Sequence, residues 1–279
     1  MRPEDRGIKM HFKNIVDMHA HTIHSFDGHY SVDEMIESSI EKGIKIVAFT
    51  DHVEMDLFRQ NSFDKTADEA FVDILRAKEQ YKDRIEVCVG VEMGEPTYDL
   101  AESEALIVSK DYDIVIGSIH NLRKTPDFCE LDYTKDNVYP LLDDYFREMK
   151  GLAEWAKFDT FAHLTYPLRY IIGEHHIDVD MTRYQKDIDE IFSLLVEKDK
   201  PLEINTSGLR QPIGRPLPDE SYVRRFKELG GKHVTVGSDS HFVEHMGAGI
   251  EQGMQIAKNC GFDSVLIFRH RQPVEIPIE

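Results

Sequence analysis

Seven short apolar runs recur along the 279-residue chain, and each ends in polar side chains. They read "NIVDMH", "IKIVAFTDH", "IEVCVGVEMG", "YDIVIGSIH", "FDTFAHL", "PLEINTSG" and "HVTVGSDSH". The runs are rich in β-branched residues and mostly do not alternate with polar ones, the pattern of parallel strands buried on both faces. Helical segments separate them. "SVDEMIESSIEKG" carries Ser31 and Glu34 at capping-box spacing and Gly43 as a C-terminal stop. "VYPLLDDYFREMKGLAEWAK" and "RYQKDIDEIFSLLVEKDK" read as longer amphipathic helices, and "SVLIFRHRQPVEIPI" as two short strands about a turn. No Ser/Gly linker divides the chain, and no close internal repeat is visible. This succession predicts a single-domain α/β fold, a β/α barrel. An open doubly wound sheet is the alternative, but its dinucleotide-binding version has no support, because no G-x-G-x-x-G follows the first strand.

The polar residues at the strand ends carry the chemical signal. The first run delivers His19 and His21, the second Asp51 and His52, the third Glu92, the fourth His120 and the fifth His163. The sixth ends near Asn205 and Thr206, and the seventh with Asp239 and His241. In a β/α barrel these ends converge on one mouth, where active sites are built. Alternate residues of an extended strand face the same side, so His19 with His21, and Asp239 with His241, can point at one ion. A polar rim loop is the plainer explanation of a single H-x-H. It does not explain ligand-type residues at nearly every strand end. Three or more protein ligands with an open position make a catalytic metal site, and these residues could fill more than one. Glu92 ends an otherwise apolar strand and reads as a ligand shared between ions rather than a paired structural acid. His11, His175, His176, His233, His245 and His270 lie outside the strand ends and read as surface or structural. His24 and His29 border the first loop, where they could line a pocket. Cys88 and Trp155 read as packing residues.

Composition narrows the function. A formal charge of −19 disfavours a general nucleic-acid binder, which needs a basic footprint, but not an anionic small substrate drawn to bound cations. Three cysteines without a C-x-x-C spacing are no disulfide framework and suit a reducing compartment. No apolar run is long enough to span a bilayer, so the expectation is a cytoplasmic protein without membrane partners. Residues 1–9 are polar and read as a disordered extension, with the barrel domain over 10–279.

The motifs "DMHAHT", "FTDH", "GVEMG", "GSIH", "AHL" and "GSDSH" resemble, in order, those of the polymerase and histidinol phosphatase (PHP) family, over nearly all of the chain after Met10. Within it, "FAHLTYPLRY", "EINTSGLR" and "GSDSH" are most similar to the stand-alone histidinol-phosphatases. The resemblance implies a distorted (β/α)7 barrel with three divalent transition-metal ions, zinc, manganese or iron. It implies that His19, His21, Glu92 and Asp239 hold one ion and that Glu92, His120 and His163 hold a second. Asp27, His52 and His241 would hold the third, and Asp17 would orient a ligand histidine without binding metal. Arg169 and Arg210 follow strand ends, and their guanidinium groups match a phosphate with paired donors. The function implied is metal-dependent phosphomonoester hydrolysis, with L-histidinol phosphate as substrate in histidine biosynthesis and Asp239 or His241 protonating the leaving group. A phosphatase for a nucleotide or phosphotyrosyl ester, an exonuclease and a noncatalytic metal-binding module are the rivals.

Overall fold

The protein is described by a computed structural model covering residues 12–279; the expectation for residues 1–9, and Met10 and His11, lie outside the described residues. The strands are β1 (Val16–Ala20), β2 (Ile46–Phe49), β3 (His52–Glu54), β4 (Glu86–Gly94), β5 (Ile114–Ser118), β6 (Thr160–Phe161), β7 (Leu202–Asn205) and β8 (Val234–Gly237). They pair in the order β1-β2-β4-β5-β6-β7-β8, with β3 also on β4, and every pairing is parallel. Beyond β8 the chain returns to β1. The Asp239 amide donates to the His19 carbonyl at 2.7 Å and the His21 amide to the Ser240 carbonyl at 2.8 Å. These bonds close the sheet into the expected distorted (β/α)7 barrel.

The distortion has a local cause. The run "IKIVAFTDH" is two strands, not one, broken at Thr50 and Asp51. The Asp51 carboxylate turns back to accept from the Thr22 amide (2.6 Å), the Thr22 hydroxyl (2.8 Å) and the Ser25 hydroxyl (2.8 Å). The Glu92 amide is consequently shared between the carbonyls of Thr50 and Asp51, at 3.1 and 3.2 Å. Such an irregularity re-aims side chains at a barrel rim.

Among the described residues, seven α-helices surround the strands: α1 (Val32–Glu41), α2 (Phe63–Tyr81), α3 (Leu100–Ser109), α4 (Val138–Trp155), α5 (Gln185–Glu197), α6 (Glu220–Glu228) and α7 (Ile250–Asn259). Helix α1 begins with the expected reciprocal cap between Ser31 and Glu34, and Gly43 follows it with φ 77°. On α4, Val138, Leu142, Tyr145, Phe146, Met149 and Leu152 are buried at three- and four-residue spacing. Each such side chain contributes roughly 1.5–3 kcal/mol on leaving water. The two strands about a turn are β9 (Ser264–Arg269) and β10 (Gln272–Pro277), an antiparallel hairpin. Its turn residues His270 and Arg271 both take positive φ, as tight two-residue turns require.

Cys88 and Cys260 are buried, Cys129 is exposed, and all three are free. Among the described residues, no helix is long and apolar enough to cross a membrane.

Candidate metal centre

The mouth of the barrel is organised around Glu92, which is fully buried on β4. Its Oε2 lies 3.1 Å from His19 Nε2, 3.5 Å from His21 Nε2 and 3.1 Å from His52 Nδ1. Its Oε1 lies 2.9 Å from His163 Nε2 and 3.2 Å from His120 Nε2. Five histidines from four strand ends therefore meet one carboxylate. No lysine or arginine is among these neighbours.

The three ligand sets implied by the resemblance each come together. His19, His21 and Asp239 form one group able to hold an ion, with Glu92 beside it. His120 and His163 approach to 3.2 Å between their Nε2 atoms, both facing Glu92. His241 Nε2 lies 3.2 Å from Asp27 and 3.4 Å from His52 Nε2, and His52 Nε2 is 3.7 Å from Asp27.

These donor atoms suit metal better than one another. His19 Nε2, His21 Nε2 and Glu92 Oε2 are buried without a hydrogen-bond partner, although they converge within about 3.5 Å. Orphaned buried polar atoms are costly, and several aimed at one point are a cavity for a cation. Imidazole nitrogens and carboxylates are the donors that divalent transition metals take.

Electrostatics agree. Burial pushes the Glu92 carboxyl up, but His19, His120 and His52 outweigh it and hold it well below the usual range. Asp239 is likewise pushed up by burial, yet held well below that range by His19, His21, His241 and Arg169. Burial alone would lower His19, whereas Glu92, Glu203 and Asp239 raise it well above an ordinary imidazole. His21 goes the other way, lowered by burial and by its neighbours His241 and His52.

Most of the rings are held from behind through Nδ1, which leaves Nε2 facing the centre. His19 Nδ1 meets Glu203 at 2.6 Å. His21 Nδ1 meets the Ser25 hydroxyl at 3.0 Å, itself bound to Asp51. Glu54 holds His120 in this way, its Oε1 3.2 Å from His120 Nδ1, and it also lies 3.1 Å from His52 Nδ1, the nitrogen by which that ring faces Glu92. Such partners set ring orientation and tautomer. Glu54 and Glu203 were missed in the sequence, although Glu54 sits two residues after His52 and Glu203 two before Asn205, on the same strand faces. Each carboxylate needs a glycine beside it. A Cβ on Gly94 would lie 1.8 Å from Glu54 Oε2, and one on Gly237 would lie 2.7 Å from Glu203 Oε1.

Two sequence expectations change. Asp17 orients no imidazole. Its carboxylate accepts from the Ser238 amide at 2.8 Å, the Ser238 hydroxyl and, more weakly, the His19 amide, and so ties β1 to β8. Arg210 directs its donors to the carbonyls of Ser238 (2.6 Å) and Asp239 (2.7 Å), which makes it a brace for the end of β8. Arg169 is different. It is buried against the Tyr166 ring, 4.2 Å from its centroid, with one nitrogen 3.4 Å from Asp239 and its Nε unpartnered. His24 turns away to Asp73 on α2, and His29 packs on Phe242. None of His175, His176, His233, His245 or His270 belongs to a group able to hold an ion.

The model of the PHP domain matches residues 17–207. A probable histidinol-phosphatase of Thermotoga maritima is 30% identical over 255 residues, 91% of this chain and 95% of that protein. A histidinol-phosphatase of Lactococcus lactis is 27% identical over 259 residues, 91% of this chain and 94% of its own length. Among solved structures, a Lactococcus lactis histidinol phosphate phosphatase, complexed with zinc, L-histidinol and phosphate, superposes with a TM-score of 0.79 at 24% identity. That superposition covers 94% of this chain and 99% of the other, and it shows the shared fold.

Proposed function

The chain belongs to the PHP domain family, and from that premise we propose that it is a metal-dependent phosphomonoesterase that converts L-histidinol phosphate to L-histidinol and phosphate. The convergence of His19, His21, His52, His120 and His163 on the buried Glu92 carries the chemical half of this reading. The substrate half is supported by relatives called histidinol-phosphatases that match along nearly their whole length. Zinc, L-histidinol and phosphate in the Lactococcus lactis structure favour the same substrate and metal.

His19, His21, Asp239 and Glu92, then His120 and His163 with Glu92, then Asp27, His52 and His241 would hold three ions, and zinc, manganese and iron all accept such ligands. Ions bound there would supply an activated water and polarise the phosphoryl oxygens. The chain's own residues do the rest. Arg169 presents an unpartnered buried nitrogen beside Asp239 and is suited to bind the phosphoryl oxygens as their charge grows. Arg210 holds the carbonyl of Asp239 and so keeps that carboxylate in place. Asp239 itself has φ 54°, in the left-handed region that aspartate tolerates better than most side chains. The leaving alkoxide needs a proton, and we assign its delivery to His241, whose Nδ1 lies 3.7 Å from the ionised Asp239 carboxylate. The reaction places the protein in histidine biosynthesis, a cytoplasmic pathway.

The test is a substrate panel with purified, metal-loaded protein. L-Histidinol phosphate should exceed an aryl phosphate in kcat/KM by roughly a hundredfold, about 2.7 kcal/mol of discrimination. Equal rates would indicate a promiscuous phosphatase. Preference for a nucleotide or phosphotyrosyl ester would overturn the substrate while leaving the metal chemistry standing.

A further inference from the structure

The loop after β5 brings a carboxylate to the mouth that neither the ligand sets nor the phosphate-binding arginine uses. This loop leaves the strand at His120 and folds back at once. The Phe128 amide donates to the His120 carbonyl at 3.0 Å, and Asn121 pairs with Asp127 across the turn. Asp127 is thereby tied to a residue of the ligand set, not left on a free loop tip. Its carboxylate is held from a second side by the Tyr166 hydroxyl, at 3.1 and 3.4 Å from its two oxygens.

Tyr166 connects this carboxylate with the reaction centre. Its ring centroid is 4.9 Å from that of His163 and 5.1 Å from that of His120, and the Arg169 guanidinium covers it at 4.2 Å. One aromatic ring therefore separates the proposed phosphate site from Asp127. The donors to the Asp127 carboxylate, the Tyr166 hydroxyl and the Cys129 amide at 2.7 Å, are both neutral. No cation is hydrogen-bonded to it; the Arg169 guanidinium acts on it only through space, from across the Tyr166 ring. Asp127 is only half-buried, so a ligand can reach it.

A capping aspartate would explain the bond to Cys129, because Asp127 precedes the short helical turn at Phe128–Glu130. It would not explain the hydroxyl aimed at it from Tyr166, across 39 residues of sequence. A fixed carboxylate with no cation bonded to it, beside a phosphoester site, is complementary to a substrate that carries a positive group near its ester. In an amino alcohol phosphate the ammonium stands on the second carbon from the ester oxygen.

We infer that Asp127 is a specificity-determining residue that receives the ammonium group of the leaving alcohol. This rests on the amino alcohol phosphate reading of the substrate. Binding energy from such a remote group raises turnover of the correct ester over truncated ones.

The experiment compares L-histidinol phosphate with its des-amino counterpart, 3-(imidazol-4-yl)propyl phosphate, which keeps the imidazole and the ester and lacks only the ammonium. The metal-loaded wild-type protein should prefer the amino ester by at least about tenfold in kcat/KM. Asp127→Asn should lose most of that preference with metal content retained. Tyr166→Phe, which keeps the ring and frees the carboxylate, should lose part of it, and it tests the inference even if the first variant folds poorly. A preference unchanged in both variants, or a wild-type protein indifferent to the ammonium, overturns the assignment. Failure of the underlying reading shows separately, as wild-type protein inactive toward both esters.

Discussion

Buried acids stand at both ends of the barrel, and the chain treats them differently. At the N-terminal end, Asp159 precedes β6 and accepts from Arg271 at 2.7 and 2.9 Å and from the Val115 amide at 2.8 Å. Asp113 precedes β5 and is paired with Lys78, the Val89 amide at 2.8 Å and the His270 amide at 3.1 Å. Each charge is completed by protein donors. At the C-terminal end, Glu92 has imidazoles around it but no lysine, no arginine and an orphaned Oε2. A buried carboxylate is a finished structural joint at one end and an open coordination site at the other. Burial alone therefore does not mark a functional acid; burial with unfilled valence does.

This contrast can be broken by experiment, and the largest effect is expected at Glu92. Glu92→Ala should lower turnover by about a thousandfold or more, roughly 4 kcal/mol, and reduce bound metal in elemental analysis of the same preparation. Glu92→Gln should fail too, because an amide lacks the charge that offsets two cations. Normal metal content and normal rate in either variant would make Glu92 a second Asp159.

The opposite pattern is expected at the other end. Arg271→Ala leaves Asp159 without its guanidinium and should cost about 3 kcal/mol in denaturant unfolding, with metal content and kcat retained. The Arg271 side chain is a quarter exposed, which tempers that figure. A loss of metal in this variant would join the two ends into one unit.

A smaller effect sharpens the contrast from behind the ligands. Glu54→Gln should weaken metal binding by about 10- to 100-fold, since one carboxylate holds both His52 and His120. It should also change the pH dependence. In the metal-free protein, burial pulls both imidazoles down, but Glu92 and Glu54 outweigh it and raise them well above the ordinary value. Protons then compete with metal, and affinity falls as pH drops through these raised values. Removing the Glu54 charge lowers the imidazole proton affinities, so the fall should move to lower pH in metal titrations followed across pH. An unchanged profile would show that Glu54 does not govern these rings.

Much of this was legible in the chain itself. Apolar runs without alternation imply strands buried on both faces, and the capping pattern at Ser31 and Glu34 is local. Both depend on near neighbours in sequence, and the structure carries both. The meeting of His19, His52, Glu92, His120, His163 and Asp239 also follows from sequence once a barrel is granted, because parallel strands bring all their C-terminal ends to one face. What only the tertiary structure decided is what stands beside each of these groups. His19 finds Glu203 from 184 residues away, and Arg210 turns to the carbonyls of β8 rather than into the mouth. Asp17 binds Ser238 across the barrel's closing seam instead of an imidazole, and Asp51 breaks a strand by bonding Thr22. Strand periodicity tells which face a side chain occupies, whereas its partner depends on the register of a neighbouring strand and on room left by glycines such as Gly94 and Gly237, and neither is written in the local sequence.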